Sequence, residues 1–190
     1  MRHHCLLASP EGVWLEPIVT DRELWECCEH KNRARRAIQE TMSHSCVEIY
    51  LHVIFSTKGR LPLIPQNIEN RLYGYIGGIA RQQQVAILKI NGTKDHLHIL
   101  LKLHASVTVS TLLKELKSYS TGWMKKLGFA DFGWQEGYGA FSCSISHLDA
   151  LMQYIENQKA HHETQSFAQE IESLNKRWGV KWMHDIIESP

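Results

Sequence analysis

Hydrophobic and polar positions alternate along residues 46–57, CVEIYLHVIFST, and the stretch is rich in β-branched and aromatic residues, as is typical of a strand. After Pro65 the apolar residues recur at helical spacing, which predicts an amphipathic helix up to about residue 84. VAILKIN and HLHILLKL then have the composition of two strands, and the turn-forming pair Asn91-Gly92 predicts a hairpin between them.

The second half of the chain again alternates between the helical and the strand pattern of apolar residues. A helix is predicted over about residues 109–127, a strand in AFSCSIS, and a last major helix in SHLDALMQYIENQKAHH with Ser146 as its N-cap. The order strand, helix, strand, strand, helix, strand, helix predicts an α+β fold. It is that of a ferredoxin-like antiparallel sheet with helices packed on it and an added C-terminal helix.

A chain of 190 residues has room for one well-buried domain and an extension. The pattern places the domain at residues 46–164. Residues 1–45 are interpreted as an N-terminal extension of uncertain structure, and residues 165–190 as a C-terminal helical tail.

Composition narrows the class of protein. The chain is 43% hydrophobic and 22% charged, which is ordinary for a soluble globular protein, and no apolar run approaches the roughly 18 residues of a membrane helix. Five irregularly spaced cysteines and the lack of a secretory core region indicate a reducing compartment, so we expect a cytoplasmic protein. The net charge of +1 does not by itself indicate a nucleic-acid partner.

Two histidines form the first candidate metal-binding pair. His96 and His98, in DHLHILLKL, project to the same face of a strand and can hold one metal ion. Strand alternation predicts that Asp95 points away from the His96 side. The side-chain carbonyl of Gln158 is a candidate third ligand, and such mixed nitrogen and oxygen coordination suits Mg²⁺ or Mn²⁺.

A tyrosine stands one helical turn before that glutamine. Tyr154 and Gln158, in YIENQ, share a face of the predicted helix. Beside a metal-polarised phosphate, a tyrosine hydroxyl can attack phosphorus and form a covalent phosphotyrosine. The remaining histidines near these motifs, His52, His161 and His162, are interpreted as packing or surface residues.

Five segments, in this order, carry a family resemblance: YLHVIFSTKGR, KDHLHILL, LLKELKSYS, WQEGYGAFSCS and YIENQKAHH. The chain resembles the single-tyrosine HUH transposases of bacterial insertion sequences of the 200/605 type, including those associated with repetitive extragenic palindromes. The resemblance covers about Tyr50 to His162. Such proteins normally begin close to the position of Tyr50, so the first 45 residues are a departure from the pattern.

The resemblance implies a definite reaction and set of roles. It makes His96 and His98 the metal-binding pair, Tyr154 the nucleophile and Gln158 the additional metal ligand. It implies nicking of single-stranded DNA at an element's end, a 5′-phosphotyrosine, and rejoining after recognition of a subterminal hairpin by a homodimer whose tyrosine helix can serve the partner's site. Lys58 and Arg60, in the basic loop STKGR, are candidate contacts of DNA phosphates, and the resemblance adds Lys114 and Lys117.

Two other classes of function remain open. One is a domesticated protein that binds hairpin DNA with the same fold and does not transpose. The other is a ferredoxin-like RNA-binding module, which should carry exposed aromatic residues on its central strands. The central strand here carries His98, Ile99 and Leu101 instead, which ranks this class last.

Overall fold

Residues 46–162 and 166–179 are described by the structure, a computed structural model. Its strands are β1 (Ile49–Ser56), β2 (Ala86–Gly92), β3 (His96–Leu103) and β4 (Gly139–Cys143). Its α-helices are α1 (Gln66–Gln82), α2 (Val109–Lys126), α3 (Leu148–Glu156), α4 (Gln158–His161) and α5 (Phe167–Trp178). Short 3₁₀ turns, Lys58–Arg60 and Ile145–His147, follow β1 and β4.

The four strands form one sheet in the order β2-β3-β1-β4, and every neighbouring pair is antiparallel. The two central strands are therefore β3 and β1, with Ile54 paired to His98 and Ser56 to His96. Together with the helices packed on it, this sheet confirms the predicted α+β, ferredoxin-like architecture.

Side-chain alternation gives the sheet two different faces. On one face Val53, Phe55 and the odd-numbered residues of β3 pack against α1 and α2 in a large apolar core. Leu72, Ile76 and Leu116 lie in this core with no exposed surface, as the helical periodicity of α1 and α2 requires. Burial on this scale supplies most of the stability of such a domain.

The opposite face carries the polar residues. His52 and Ile54 of β1 point to this face together with His96 and His98 of β3, and all four are buried. Helix α5 covers part of the face through a small apolar cluster of Ile54, Phe167 and Ile171, to which Phe141 and Leu174 add. The buried histidines thus lie between the sheet and the C-terminal helices.

Three local predictions were wrong. Asn91 and Gly92 are not the hairpin turn, because both pair within β2, opposite His98 and Leu97, and the connection is residues 93–95. Ser146 caps no helix, since it lies inside the 3₁₀ turn and α3 starts after His147 without a side-chain cap. The last major helix is also divided at Asn157, whose φ and ψ of −91° and 12° separate α3 from α4.

The predicted domain boundaries stay predictions. Residues 1–45, the predicted extension, lie outside the described residues, as do residues 163–165 and 180–190. The described part of the predicted tail is a helix, α5, which begins with a capping box in which Ser166 and Gln169 bond each other's backbone N–H groups. Across the described residues, no helix is both long and apolar enough to span a membrane.

Candidate metal and tyrosine site

The histidine pair of β3 lies at the centre of the polar face. His96 and His98 are 1% and 0% exposed, and their ring centroids are 5.2 Å apart. Their alternation along the strand brings both imidazoles to the same side, as predicted. Phe167 of α5 stacks on His96 at 4.1 Å between ring centroids and shields that ring from solvent.

Each imidazole is oriented through its Nδ1 atom. His96 Nδ1 lies 2.8 Å from Asp95 Oδ1, and Thr93 Oγ1 donates to the same carboxylate oxygen at 2.6 Å. The prediction that Asp95 points away from His96 was therefore wrong. Asp95 lies just before β3 begins, where strand alternation does not yet apply. Because a carboxylate only accepts, His96 donates from Nδ1 and keeps its Nε2 lone pair available for a metal.

The partner of His98 is another histidine. His98 Nδ1 lies 3.0 Å from His52 Nε2, and the two rings stack at 5.2 Å between centroids. Burial lowers the pKa of His52 to about 3 and that of His96 to about 4, so both rings are neutral near pH 7. His52 is thus a buried packing residue that directly contacts the candidate metal pair.

Tyr154 and Gln158 reach the same point from α3 and α4. The Tyr154 hydroxyl donates to Glu170 Oε1, and Gln158 Nε2 donates to the same oxygen at 3.4 Å. The Tyr154 and His98 ring centroids are 6.0 Å apart. The break at Asn157 thus does not separate the two side chains, which face the histidine pair together.

Helix α3 is held against the sheet near this point. Asn91 of β2 donates its side-chain amide to the carbonyl oxygens of Ile155 and Glu156, at 2.9 and 2.8 Å. These carbonyls belong to the last turn of α3, where a helix offers its carbonyl oxygens no N–H donor four residues further on. Ile155 is fully buried beside them. The pair of hydrogen bonds fixes the end of the tyrosine helix to the strand next to β3.

Glu170 of α5 is the carboxylate on which these groups converge. It is 2% exposed, and its Oε1 lies 3.4 Å from His98 Nε2, while its Oε2 lies 3.1 Å from His162 Nε2. Burial alone would raise the pKa of Glu170, but its contacts with His162, His98 and Tyr154 outweigh burial and lower it. Burial and this carboxylate raise the pKa of Tyr154, so the phenol keeps its proton in this arrangement.

Four of these side chains have the arrangement of a metal site. Ligand atoms of His96, His98, His162 and Glu170 all lie within 4.8 Å of one another. Among the described residues, His98 Nε2 and Gln158 Oε1 are buried without a hydrogen-bond partner, which is costly unless something else satisfies them. A divalent cation would satisfy both atoms, so the residues present fit a metal ion.

A family model of IS200-like transposases matches residues 45–158. The chain belongs to this family. The match spans the whole sheet and ends at Gln158, so it includes the histidine pair and Tyr154. The protein is thus a member of a family of transposases, as the resemblance predicted.

Two solved structures are similar to this transposase. One is a protein from Deinococcus radiodurans, provisionally described as a transposase, with 22% identity and a TM-score of 0.50 over 62% of this chain and 96% of that one. The other is described as a REP-associated tyrosine transposase bound to a REP hairpin, with 15% identity and a TM-score of 0.48 over 64% of this chain and 72% of that one. The first supports the fold. No curated protein matches the chain.

Two residues of the cluster lie beyond the family match. His162 was interpreted as a packing or surface residue, and Glu170 was not singled out at all. A signal for Glu170 does exist in the sequence, because Phe167, Ile171 and Leu174 form an apolar stripe and Glu170 takes the i+3 position of that stripe. An acidic residue at a core-facing position requires a buried partner.

The four basic residues predicted to contact DNA lie in two places. Lys58 and Arg60 are in the turn after β1, which is tied to the site because Thr57 N–H donates to the Asp95 carbonyl at 2.8 Å. Lys114 and Lys117 are on α2, which packs on the opposite face of the sheet. Lys117 donates to the carbonyls of Gln135 and Gly137, and burial lowers its pKa to about 8.

A cleft of about 650 Å³ opens beside the candidate metal ligands. His96, His162 and Phe167 line its inner end, and Lys94 and Lys159 lie on its walls. Lys159 is paired with Glu69 at 2.6 Å. The cleft leaves one side of the histidines accessible, and its walls carry the carboxylates of Glu69 and Asp95 as well as these two ammonium groups.

Proposed function

We propose that this protein nicks and rejoins single-stranded DNA at the ends of an insertion sequence, with Tyr154 as the nucleophile. The observation that carries the proposal is the convergence of Tyr154 and Gln158 on the buried histidine pair, within a chain that belongs to a transposase family. A hydroxyl this close to a candidate metal site is placed for attack on a bound phosphodiester.

In the cleavage step the Tyr154 oxygen bonds to phosphorus, and the bond from phosphorus to the 3′-oxygen breaks. The products are a 5′-phosphotyrosine and a free 3′-hydroxyl, which takes up one proton as the phenol loses one. Glu170 accepts the hydrogen bond of the phenol and so holds the hydroxyl beside the histidine pair before attack. Rejoining is the reverse attack by a 3′-hydroxyl, so the phosphodiester energy is conserved.

His96, His98 and Gln158 would hold a divalent metal, Mg²⁺ or Mn²⁺. When bound, the metal withdraws charge from the nonbridging phosphate oxygens and orients the scissile bond. Asp95 and His52 keep the two imidazoles in the orientation that directs Nε2 toward that position.

The DNA contacts divide between the two faces of the sheet. We assign Lys58 and Arg60, beside Asp95, to phosphates near the scissile bond. Lys114 and Lys117 lie on the opposite face and are assigned to the more distant part of the substrate, a subterminal hairpin. The proposed assembly is a homodimer in which Tyr154 can serve the histidine pair of its own chain, against which it lies, or that of the partner. The proposed location is the cytoplasm.

The test uses single-stranded DNA from the region flanking the gene, chosen at an inverted repeat, which would identify the element's end. With a 3′-terminal label and Mg²⁺ or Mn²⁺, the protein should form a labelled adduct that survives denaturing electrophoresis. Tyr154→Phe should abolish the adduct and Tyr119→Phe, which changes an exposed tyrosine of α2, should not. An undiminished adduct with Tyr154→Phe would refute the assignment.

A domesticated hairpin-binding protein is the alternative to this enzyme. It predicts tight binding of the hairpin, measured by a mobility shift, with no covalent product under any divalent metal. That result, obtained with the unmodified protein, would replace the transposition proposal with the binding one.

A further inference from the structure

We propose that the metal centre of this protein is completed by His162 and Glu170, two residues that lie after the family match ends at residue 158. The centre would then hold three imidazoles and one carboxylate in addition to the amide oxygen of Gln158. The inference rests on the proposed function only in placing the metal beside Tyr154. It assigns α5, the described part of the predicted tail, to the site.

The distances between donor atoms support a shared ion. His96 Nε2 lies 3.0 Å from His162 Nε2, His98 Nε2 lies 3.4 Å from Glu170 Oε1, and His162 Nε2 lies 3.1 Å from Glu170 Oε2. Ligands bound at about 2.0–2.2 Å from one ion stand roughly 3–4 Å from each other. The four side chains therefore converge as ligands of one ion would.

The second argument is the cost of burying Glu170. A carboxylate that is 2% exposed is stable only if it is paired or bound to a cation. The partners that face it are neutral or weakly basic groups, namely two imidazoles, a phenol and an amide. A divalent cation among the three histidines would compensate this charge more fully.

The ligand types predict which metal binds. Imidazole nitrogen favours transition metals such as Zn²⁺, Co²⁺ and Mn²⁺, whereas Mg²⁺ is bound mainly by oxygen. Mg²⁺ can bind a site with two imidazoles and one amide oxygen. A third imidazole makes the site unsuitable for Mg²⁺. We therefore expect Co²⁺ and Zn²⁺ to bind more tightly than Mg²⁺.

The test measures metal binding by the full chain after treatment with a chelator and dialysis. Co²⁺ is titrated by calorimetry and by its visible absorption band. Glu170→Gln and His162→Gln should each weaken Co²⁺ binding at least about tenfold and change the absorption band. Glu172→Gln, an exposed position on the same helix, and His147→Gln, an exposed histidine, should change neither.

An experiment on the unmodified protein removes any dependence on the folding of variants. X-ray absorption of the Zn²⁺-loaded chain counts imidazole ligands, and three are expected. Two imidazoles, or Co²⁺ binding that is unaffected by Glu170→Gln and His162→Gln, would overturn the inference and reduce His162 and Glu170 to an ion pair.

The outcome is separable from that of the cleavage assay. A labelled adduct on Tyr154 from a protein with a two-imidazole centre would overturn this inference and leave the proposed function standing. A three-imidazole centre in a protein that forms no adduct would support the inference and contradict the proposed function.

Discussion

Replacement of His52 by glutamine should make the metal-free protein more resistant to acid. The folded His52 ring stays neutral down to about pH 3, because burial lowers its pKa from 6.5 to about 3. The ring of the unfolded chain takes up a proton below pH 6.5. Between these two values the unfolded state binds more protons, so the free energy of unfolding falls as the pH falls.

The size of the effect follows from the two pKa values. Inside this window the free energy of unfolding changes by about 1.4 kcal/mol per pH unit for one group. Near pH 6.5 the change per pH unit is smaller, because the ring of the unfolded chain is only partly protonated there. Between pH 7 and pH 5 the contribution of His52 is therefore about 2 kcal/mol. A glutamine cannot take up this proton, but its carbonyl can still accept a hydrogen bond from His98 Nδ1.

The assay is urea unfolding followed by tryptophan fluorescence at pH 7, 6 and 5, with EDTA present to keep the protein free of metal. The loss of unfolding free energy from pH 7 to pH 5 should be about 2 kcal/mol smaller for His52→Gln than for the unmodified protein. His147→Gln is the matched control, because it deletes the same ring from an exposed position. Parallel pH profiles for His52→Gln and the unmodified protein would refute the reasoning.

Two further predictions concern the elements that position the site. Asn91→Ala removes both side-chain hydrogen bonds to the end of α3, so the free energy of unfolding should fall by about 1–2 kcal/mol. The amides of α3 should exchange hydrogen faster. An unchanged exchange rate would show that the Asn91 hydrogen bonds do not hold the end of this helix. Gly92→Ala places a Cβ 2.2 Å from the His96 carbonyl oxygen. The free energy of unfolding should therefore fall by at least about 2 kcal/mol, and the melting temperature should fall with it. Gly74→Ala, in a helix with open space around it, is the control and should stabilise by up to about 1 kcal/mol.

Much of the fold follows from periodicity alone. The alternation in residues 46–57 and the helical spacing after Pro65 place β1 and α1 correctly, because these patterns reflect which side must face a core. Turn and cap positions were less predictable. Asn91-Gly92 has the composition of a turn, but the pairing of Gly92 with Leu97 and the side-chain bonds of Asn91 to α3 keep both residues in the strand.

The sequence by itself also determined the two halves of the candidate site, since His96 with His98 and Tyr154 with Gln158 share a face through local geometry. Only the tertiary structure decided what joins them. His52 comes from a neighbouring strand, and Glu170 comes from a helix outside the family pattern. Such contacts depend on strand order and helix docking, which bring together residues 46 or 72 positions apart, and no local spacing encodes them.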